Sequence, residues 1–206
     1  MCARYHYTEK CTEILLRKLG LSVPEYQNGD VTPGMSPVVI GNYNGKLSAT
    51  NMHWGMKGKN GSLIINARSE SALQKPMFSS AIESRRVLIP TDKFYEWDSD
   101  RNKVTFSVND SDIIFLAGIY NITDNKMSFA ILTTAANSSM SPVHDRMPLM
   151  ISDSDISDWI FDFGKANALL HKGMPALKAE RQYEQLSLFD ARRCARIFQR
   201  QIHDML

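Results

Sequence analysis

Residues 104–134 read VTFSVNDSDIIFLAGIYNITDNKMSFAILTT. Three β-rich runs, 104–108, 113–120 and 127–134, are separated by two short polar breaks, Asn109-Asp110-Ser111 and Thr123-Asp124-Asn125. Val, Ile, Phe, Tyr and Thr suit a pleated, half-buried surface, and short polar breaks between such runs are turn chemistry. The stretch predicts successive strands of a mostly antiparallel sheet.

Moving outward, the same signals recur. Residues 38–43 are β-rich, Asn44-Gly45 is a type I′ hairpin signal, and 46–54 is the returning strand. Residues 63–66 form a short apolar strand after the Lys57-Gly58-Lys59-Asn60-Gly61 connection, while 87–89 and 93–97 read as strand pieces broken by Pro90. Residues 24–37, with Asn28-Gly29, Pro33-Gly34 and Pro37, predict an irregular loop. Helices are expected over 8–19, stopped by Gly20, and over 76–85, opened by Pro76. Ser152 and Asp155 resemble a capping box ahead of an apolar face of Trp159, Ile160 and Phe163. A last helix over 190–205 places Cys194, Ile197, Phe198, Ile202 and Met205 on one stripe and Arg192, Arg196 and Arg200 on another. Short strands with helices at both ends predict one α+β domain over 1–206, with a mostly antiparallel, barrel-like sheet and the 190–205 helix as an appendage. The strand–helix alternation of a Rossmann fold is absent, as are GxGxxG, the P-loop pattern, HExxH and GxSxG.

Composition narrows the function classes. Lys and Arg number 24 against 22 Asp and Glu, so net charge neither demands nor excludes nucleic acid. No stretch is long and apolar enough to span a membrane, and the first residues lack the apolar core of a secretory signal. The three cysteines, Cys2, Cys11 and Cys194, form no CxxC pair and leave an odd count, which argues against disulfides and structural zinc and for a reducing cytoplasm.

The chemistry is expected at Met1-Cys2. A small second residue lets the initiator Met be trimmed, and Cys2 would then carry a thiol and a free α-amine on adjacent carbons. An α-amine has a pKa of about 7.7–8.0, so it is partly nucleophilic near neutrality. Such a 1,2-aminothiol attacks an aldehyde twice: the amine gives an imine and the thiol closes a thiazolidine. Four polar clusters edge the apolar runs: Asn66-Ala67-Arg68-Ser69-Glu70, Phe94-Tyr95-Glu96-Trp97, Thr133-Thr134-Ala135-Ala136-Asn137 and His144-Asp145-Arg146-Met147-Pro148. Each has a structural reading beside the functional one. Glu96 fits a solvent-facing strand position, and His144 fits a loop histidine bonded to Asp145. Arg68 and Arg146 fit ion pairs with Glu70 and Asp145, and Cys2 fits an ordinary ordered start.

Taken in order, these segments resemble the SRAP family, the SOS response-associated peptidases. Met1-Cys2-Ala3-Arg4-Tyr5 is similar to its MCGR[FY] opening, Asp30-Val31-Thr32-Pro33-Gly34 to its N-x-[AT]-P loop, and Trp54-Gly55-Met56 to its WG[LM] segment. Asn66 to Glu70 resembles NAR-x-E, and residues 86–97 resemble RC-x-x-P-x-x-x-[FW][YF]EW. Ala117-Gly118-Ile119-Tyr120, residues 131–137 and residues 144–148 are similar to AG[LI][WY], [IL]-x-T-x-A-[ND] and HDRMP. The resemblance implies a protein that crosslinks to abasic sites in single-stranded DNA, whose ring-opened sugar is an aldehyde. It implies Cys2 as nucleophile, Asn66 orienting the N-terminus or sugar, Glu96 shuttling protons, and His144 acting on the sugar oxygen or imine. Arg4 and Arg68 would hold phosphates, with Pro33, Thr133 and Arg146 in the same groove. No metal or other cofactor is implied, and the protein is expected to be a cytoplasmic, nucleoid-associated monomer.

The sequence departs from the family in places. Ala3 replaces Gly, Asp30 replaces Asn, and Lys57 to Gly61 stands where a Pro and a second Trp usually follow. Trp54 is read as core rather than as a base-stacking platform. The 190–205 helix matches nothing in the family. Two other functions share the same residues: an autoprocessing cysteine peptidase with Glu96 or His144 as base, and a noncovalent single-strand-binding module.

Overall fold

The computed structural model describes residues 2–109 and 111–181; the expected 190–205 helix lies outside them. Among the described residues the strands form two larger antiparallel sheets and one small hairpin. The first runs Leu177–Arg181, Lys103–Val108, Lys93–Trp97, Tyr5–Tyr7, Gly29–Val31. The second follows the path Arg146–Pro148, Lys126–Ala135, Ile114–Thr123, Arg86–Thr91, Val38–Tyr43, Lys46–Asn51. Short strands His53–Trp54 and Asn66–Arg68 lie parallel to Lys126–Ala135 on its other edge. The α+β, mostly antiparallel architecture is as expected, but the two sheets are open and no barrel closes among the described residues. No helix there is long and apolar enough to cross a membrane.

The deciding stretch behaves as three strands, divided between the sheets. Ile114–Thr123 and Lys126–Ala135 pair across Asp124 and Asn125, whose φ values of 52° and 57° are those of a two-residue primed turn. Asn44-Gly45 makes the other tight hairpin, at φ 54° and 79°. Lys103–Val108 does not pair with the strand that follows it; it joins the first sheet, between Lys93–Trp97 and Leu177–Arg181. Ile114 to Ile119 are buried without a break, as a central strand covered on both faces requires.

Several local expectations are corrected. Arg86–Thr91 passes straight through Pro90. Its ladder to Val38–Tyr43 involves only Val87 and Leu88, so at Pro90 no bond on that edge is broken by the missing N–H. Gly29–Val31, inside the expected loop, is a strand because Tyr5–Tyr7 offers it an edge. Ser152 does not cap a helix; its hydroxyl donates to Asp155 Oδ2 at 2.6 Å. Asp162 instead caps Phe163–Leu169 by accepting from Lys165 N at 3.0 Å, which leaves Phe163 exposed while Trp159 and Ile160 are buried. Helix Glu9–Leu19 ends at Gly20, whose φ of 66° lets its N–H bond back to the Leu16 carbonyl.

The sheets meet through aromatic rings. Tyr5 of the first sheet tilts on Trp54 at 5.2 Å, and Trp54 stacks on Phe129 of the second at 6.1 Å. Trp54 is fully buried, its indole N–H on the Ile65 carbonyl at 3.0 Å, so it is core as expected. Buried Arg86 donates to the carbonyls of Ile82 and Glu83 at 2.7 Å, to Ile160 at 3.2 Å and to Trp159. One cation thereby satisfies the carboxyl ends of helices Pro76–Ser84 and Ile156–Phe161 and pins both to the second sheet.

A side chain at Gly118 has no room: its Cβ would lie 2.6 Å from Ile89 Cδ1 and 3.1 Å from the Ala130 carbonyl oxygen. Gly118→Ala is expected to cost about 1–3 kcal/mol of overpacking strain, read as a lowered urea midpoint at unchanged slope.

Candidate active site

The site lies where the start of the first sheet meets the Asn66–Arg68 edge of the second. Tyr5 pairs with Phe94, and the Tyr95 N–H reaches the Arg4 carbonyl at 3.0 Å, so the register brings Ala3 across from Glu96. Asn66, level with Ile131 on the second sheet, donates from Nδ2 to the Cys2 carbonyl at 3.1 Å. This bond ties residue 2 to the opposite sheet. Asn66 Oδ1 is buried and accepts no hydrogen bond among the described residues.

Cys2 is 1% exposed and Glu96 4%. Burial raises the Cys2 thiol pKa far above its ordinary value, and neighbouring Glu96 pushes it the same way. Glu96 is itself raised by burial, with His144 opposing. Both acids are therefore held toward their protonated forms. His144 comes from the loop after Lys126–Ala135. Its Nδ1 accepts from the Arg146 N–H at 2.9 Å and lies 2.8 Å from Asp145 Oδ1. Cys2, Asn66, Glu96 and His144 thus gather from four distant points of the sequence.

The cations divide. Arg68 is exposed and has no ion-pair partner among the described residues. Arg4 is partly exposed, 3.6 Å from Asp30 and 5.5 Å from the Trp97 ring centroid. Arg146 is gripped by Glu70 in two bonds of 2.7 and 2.8 Å and donates to the Thr133 carbonyl at 2.6 Å. The expected Arg146–Asp145 and Arg68–Glu70 pairs do not form, because Glu70 takes Arg146 and Asp145 sits on His144. Thr133 is fully buried, its hydroxyl 3.5 Å from the Ala67 carbonyl. Pro33 sits at the second position of a turn closed by Met35 N–H on the Thr32 carbonyl at 3.2 Å, with Gly34 at φ 94°, a type II arrangement. Gly34 N–H and the Met35 carbonyl each bond Trp54 backbone at 2.9 Å, fixing that turn to the core. Two residues stand out only in three dimensions. Trp97 is 38% exposed beneath Arg4, and Glu70 locks the loop that carries His144.

The Arg146 guanidinium, bonded to both Glu70 oxygens, lowers the Glu70 pKa to about 2. Its stabilising effect is present above the ordinary carboxylate range and is lost as pH falls toward about 2. It is modest because Glu70 is partly exposed and water screens the pair. Glu70→Gln should lower the melting temperature near neutrality, and thermal melts should show the difference from wild type narrowing below about pH 4.5.

The model of the family described as SOS response associated peptidase (SRAP) matches residues 1–188. Bacillus subtilis YoqW, named an abasic site processing protein, is 27% identical over 179 residues, covering 78% of this chain and 80% of its own. Escherichia coli YedK, of the same description, is 31% identical over 104 residues, 47% of each chain. A crystal structure of a Bordetella bronchiseptica protein superposes with a TM-score of 0.76 at 22% identity, covering 89% of this chain and all of that one. A phage-related protein from the same organism gives 0.74 at 20% identity, covering 90% and 96%. These two likenesses show the fold. With the ordered motifs gathered at one site and the family model matching 188 residues, this chain belongs to the SRAP family.

Proposed function

We propose that this protein processes abasic sites in single-stranded DNA by covalent capture, forming a thiazolidine at Cys2 once Met1 has been removed. Relatives named as abasic site processing proteins support the substrate class. The observation that carries the chemistry is the clamp on residue 2, the Asn66 bond to the Cys2 carbonyl beside buried Glu96.

The groups present suffice for a balanced cycle. The Cys2 α-amine adds to the aldehyde carbon to give a carbinolamine. Glu96, whose proton affinity burial raises, gives its proton to the departing hydroxyl, and water leaves an iminium. The Glu96 carboxylate then takes the thiol proton as sulfur adds to the iminium carbon, and the ring closes with Glu96 restored. A buried thiol with a raised pKa is unreactive alone, so the acceptor beside it is required. Asn66 orients residue 2, and its open Oδ1 accepts from the incoming amine or sugar. Arg68 and Arg4 hold phosphates and the Pro33 turn borders the strand. Thr133 and Arg146 shape the groove from beneath.

Mixed with single-stranded DNA carrying one abasic site, mature protein should give a band that survives a denaturing gel. Cys2→Ser keeps the amine but loses the ring-closing sulfur, so its adduct should appear only after borohydride reduction. As much heat-stable adduct from Cys2→Ser as from wild type would refute the thiazolidine. Glu96→Gln should slow capture with little change in noncovalent binding.

Arg68→Ala should weaken binding to undamaged single strands of any sequence and flatten the salt dependence by about 0.7 in log–log slope, the value for one phosphate contact. An unchanged slope in a salt titration would assign Arg68 a structural role.

A further inference from the structure

We infer that Trp97 is a base-stacking platform for single-stranded DNA, with Arg4 and Lys103 set on either side of it for the neighbouring phosphates. The inference rests on the single-strand part of the proposed function and not on its covalent step.

Trp97 ends strand Lys93–Trp97, next to Glu96. Side chains alternate along a strand, so Phe94 and Glu96, both buried, share one face and Tyr95 and Trp97 the other. Trp97 therefore stands on the outer face, one residue from the candidate site. Of the three tryptophans, Trp54 and Trp159 are fully buried in the core, and only Trp97 is open to solvent. It stacks on no other ring among the described residues. Over its ring lies a cation, the Arg4 guanidinium, 5.5 Å from the centroid.

The strands on both sides supply charge. Arg4 directly precedes Tyr5–Tyr7, and its carbonyl accepts the Tyr95 N–H at 3.0 Å. On the opposite side Lys103 pairs in register with Trp97, and its Nζ lies 3.8 Å from the Tyr95 ring centroid. Tyr95 is too deeply buried to take a base, so Trp97 is the ring available between the two cations. Neither cation is firmly held. Lys103 has no ion pair among the described residues, and Arg4 has only the exposed Asp30 at 3.6 Å.

An open aromatic face flanked by loosely held cations suits a single strand, whose phosphates take the charges while a base covers the ring. The two contacts are linked. A phosphate that draws Arg4 off the indole clears the face on which the adjoining base then stacks. Every base has a flat face, so the contact is indifferent to sequence. Trp54, locked in the core by Tyr5 and Phe129, cannot take this part.

Two probes separate stacking from charge: oligothymidylate, and a base-free strand of the same length built from tetrahydrofuran spacers. Because the other two indoles are buried, intrinsic fluorescence reports on Trp97. It should fall as oligothymidylate saturates the protein and hold steady as the base-free strand does. Trp97→Ala should bind oligothymidylate about tenfold more weakly, within the range for loss of one base–aromatic stack. Its affinity for the base-free strand and its salt slope should match wild type, and Trp97→Phe should recover part of the loss. Equal quenching by both strands, or Trp97→Ala binding that is unchanged or equally weakened for both, overturns the inference. If wild-type protein shows the base-dependent quench but never forms a denaturation-resistant adduct on an abasic strand, covalent capture falls and the platform stands. If it binds neither probe, both fall.

Discussion

The hydrogen bond from Asn66 to the Cys2 carbonyl answers the central difficulty of the proposed chemistry, a nucleophile placed near the start of a chain. Chain ends are where order is lost first, because few contacts offset the entropy of fixing them. Here the first strand, Tyr5–Tyr7, is no edge; it lies between Gly29–Val31 and Lys93–Trp97, and its tyrosines are buried. That fixes residues 5–7 but leaves residue 2 three positions beyond the ladder. Asn66 closes the gap from the other sheet. The strand bearing Asn66 is itself positioned by pairing in parallel with Lys126–Ala135, the strand that leads to the His144 loop. The junction of the two sheets therefore holds Cys2, Asn66 and His144 by one set of contacts, and the Tyr5–Trp54–Phe129 stack stiffens it.

Burial also sets the chemistry. A thiol and a carboxyl withdrawn together from water both favour their neutral forms, since desolvation penalises charge and each anion would repel the other. A site of this kind is poor at presenting a preformed thiolate and well suited to passing one proton between neutral partners. Condensing an amine and a thiol with an aldehyde needs that exchange: one proton given to a leaving oxygen and one taken from sulfur. The same desolvation would be a liability for a cysteine hydrolase, which profits from a stabilised thiolate.

Much of this was legible in the chain, and the failures have physical causes. The primed turns at Asn44-Gly45 and Asp124-Asn125 and the stop at Gly20 were readable because the residue type and the backbone angle are the same fact. Gly29–Val31 was invisible because a three-residue strand carries no periodicity; its existence is decided by Tyr5–Tyr7, more than twenty residues away. The passage of Arg86–Thr91 through Pro90 depended on which edge its neighbour left empty, a property of the sheet and not of the residue. The switch between sheets after Val108 likewise depends on the late strand Leu177–Arg181, which no local signal announced. In the candidate site, the residues that motif order singled out, Cys2, Asn66, Glu96 and His144, come together in space, whereas the ion-pair partners around them were not readable. Glu70 and Arg146 lie 76 positions apart, and sequence proximity pointed to the wrong pairs.

That re-pairing separates the arginines by what holds them. Arg146 has its charge met by a bidentate carboxylate and a backbone carbonyl, with its side chain 12% exposed. Removing it from Glu70 would strand a partly buried ion, which is costly. Arg4 is held by a 3.6 Å approach to Asp30 and by the Trp97 face, both near solvent. Exposed contacts of these two kinds are each worth about 1 kcal/mol or less. On the proposed function a phosphate oxygen bonded directly to the guanidinium would outcompete them, and Arg4 would exchange partners without disturbing the fold. Asp30 adds a second effect: a carboxylate beside Arg4 opposes a phosphate arriving there, an opposition that the neutral Asn usual at this position would not exert. Of the three arginines, Arg68 alone would meet an incoming strand with no acid to displace among the described residues. On the proposed function Arg68 is therefore expected to contribute more to strand affinity than Arg4, although Arg4 stands two residues from Cys2.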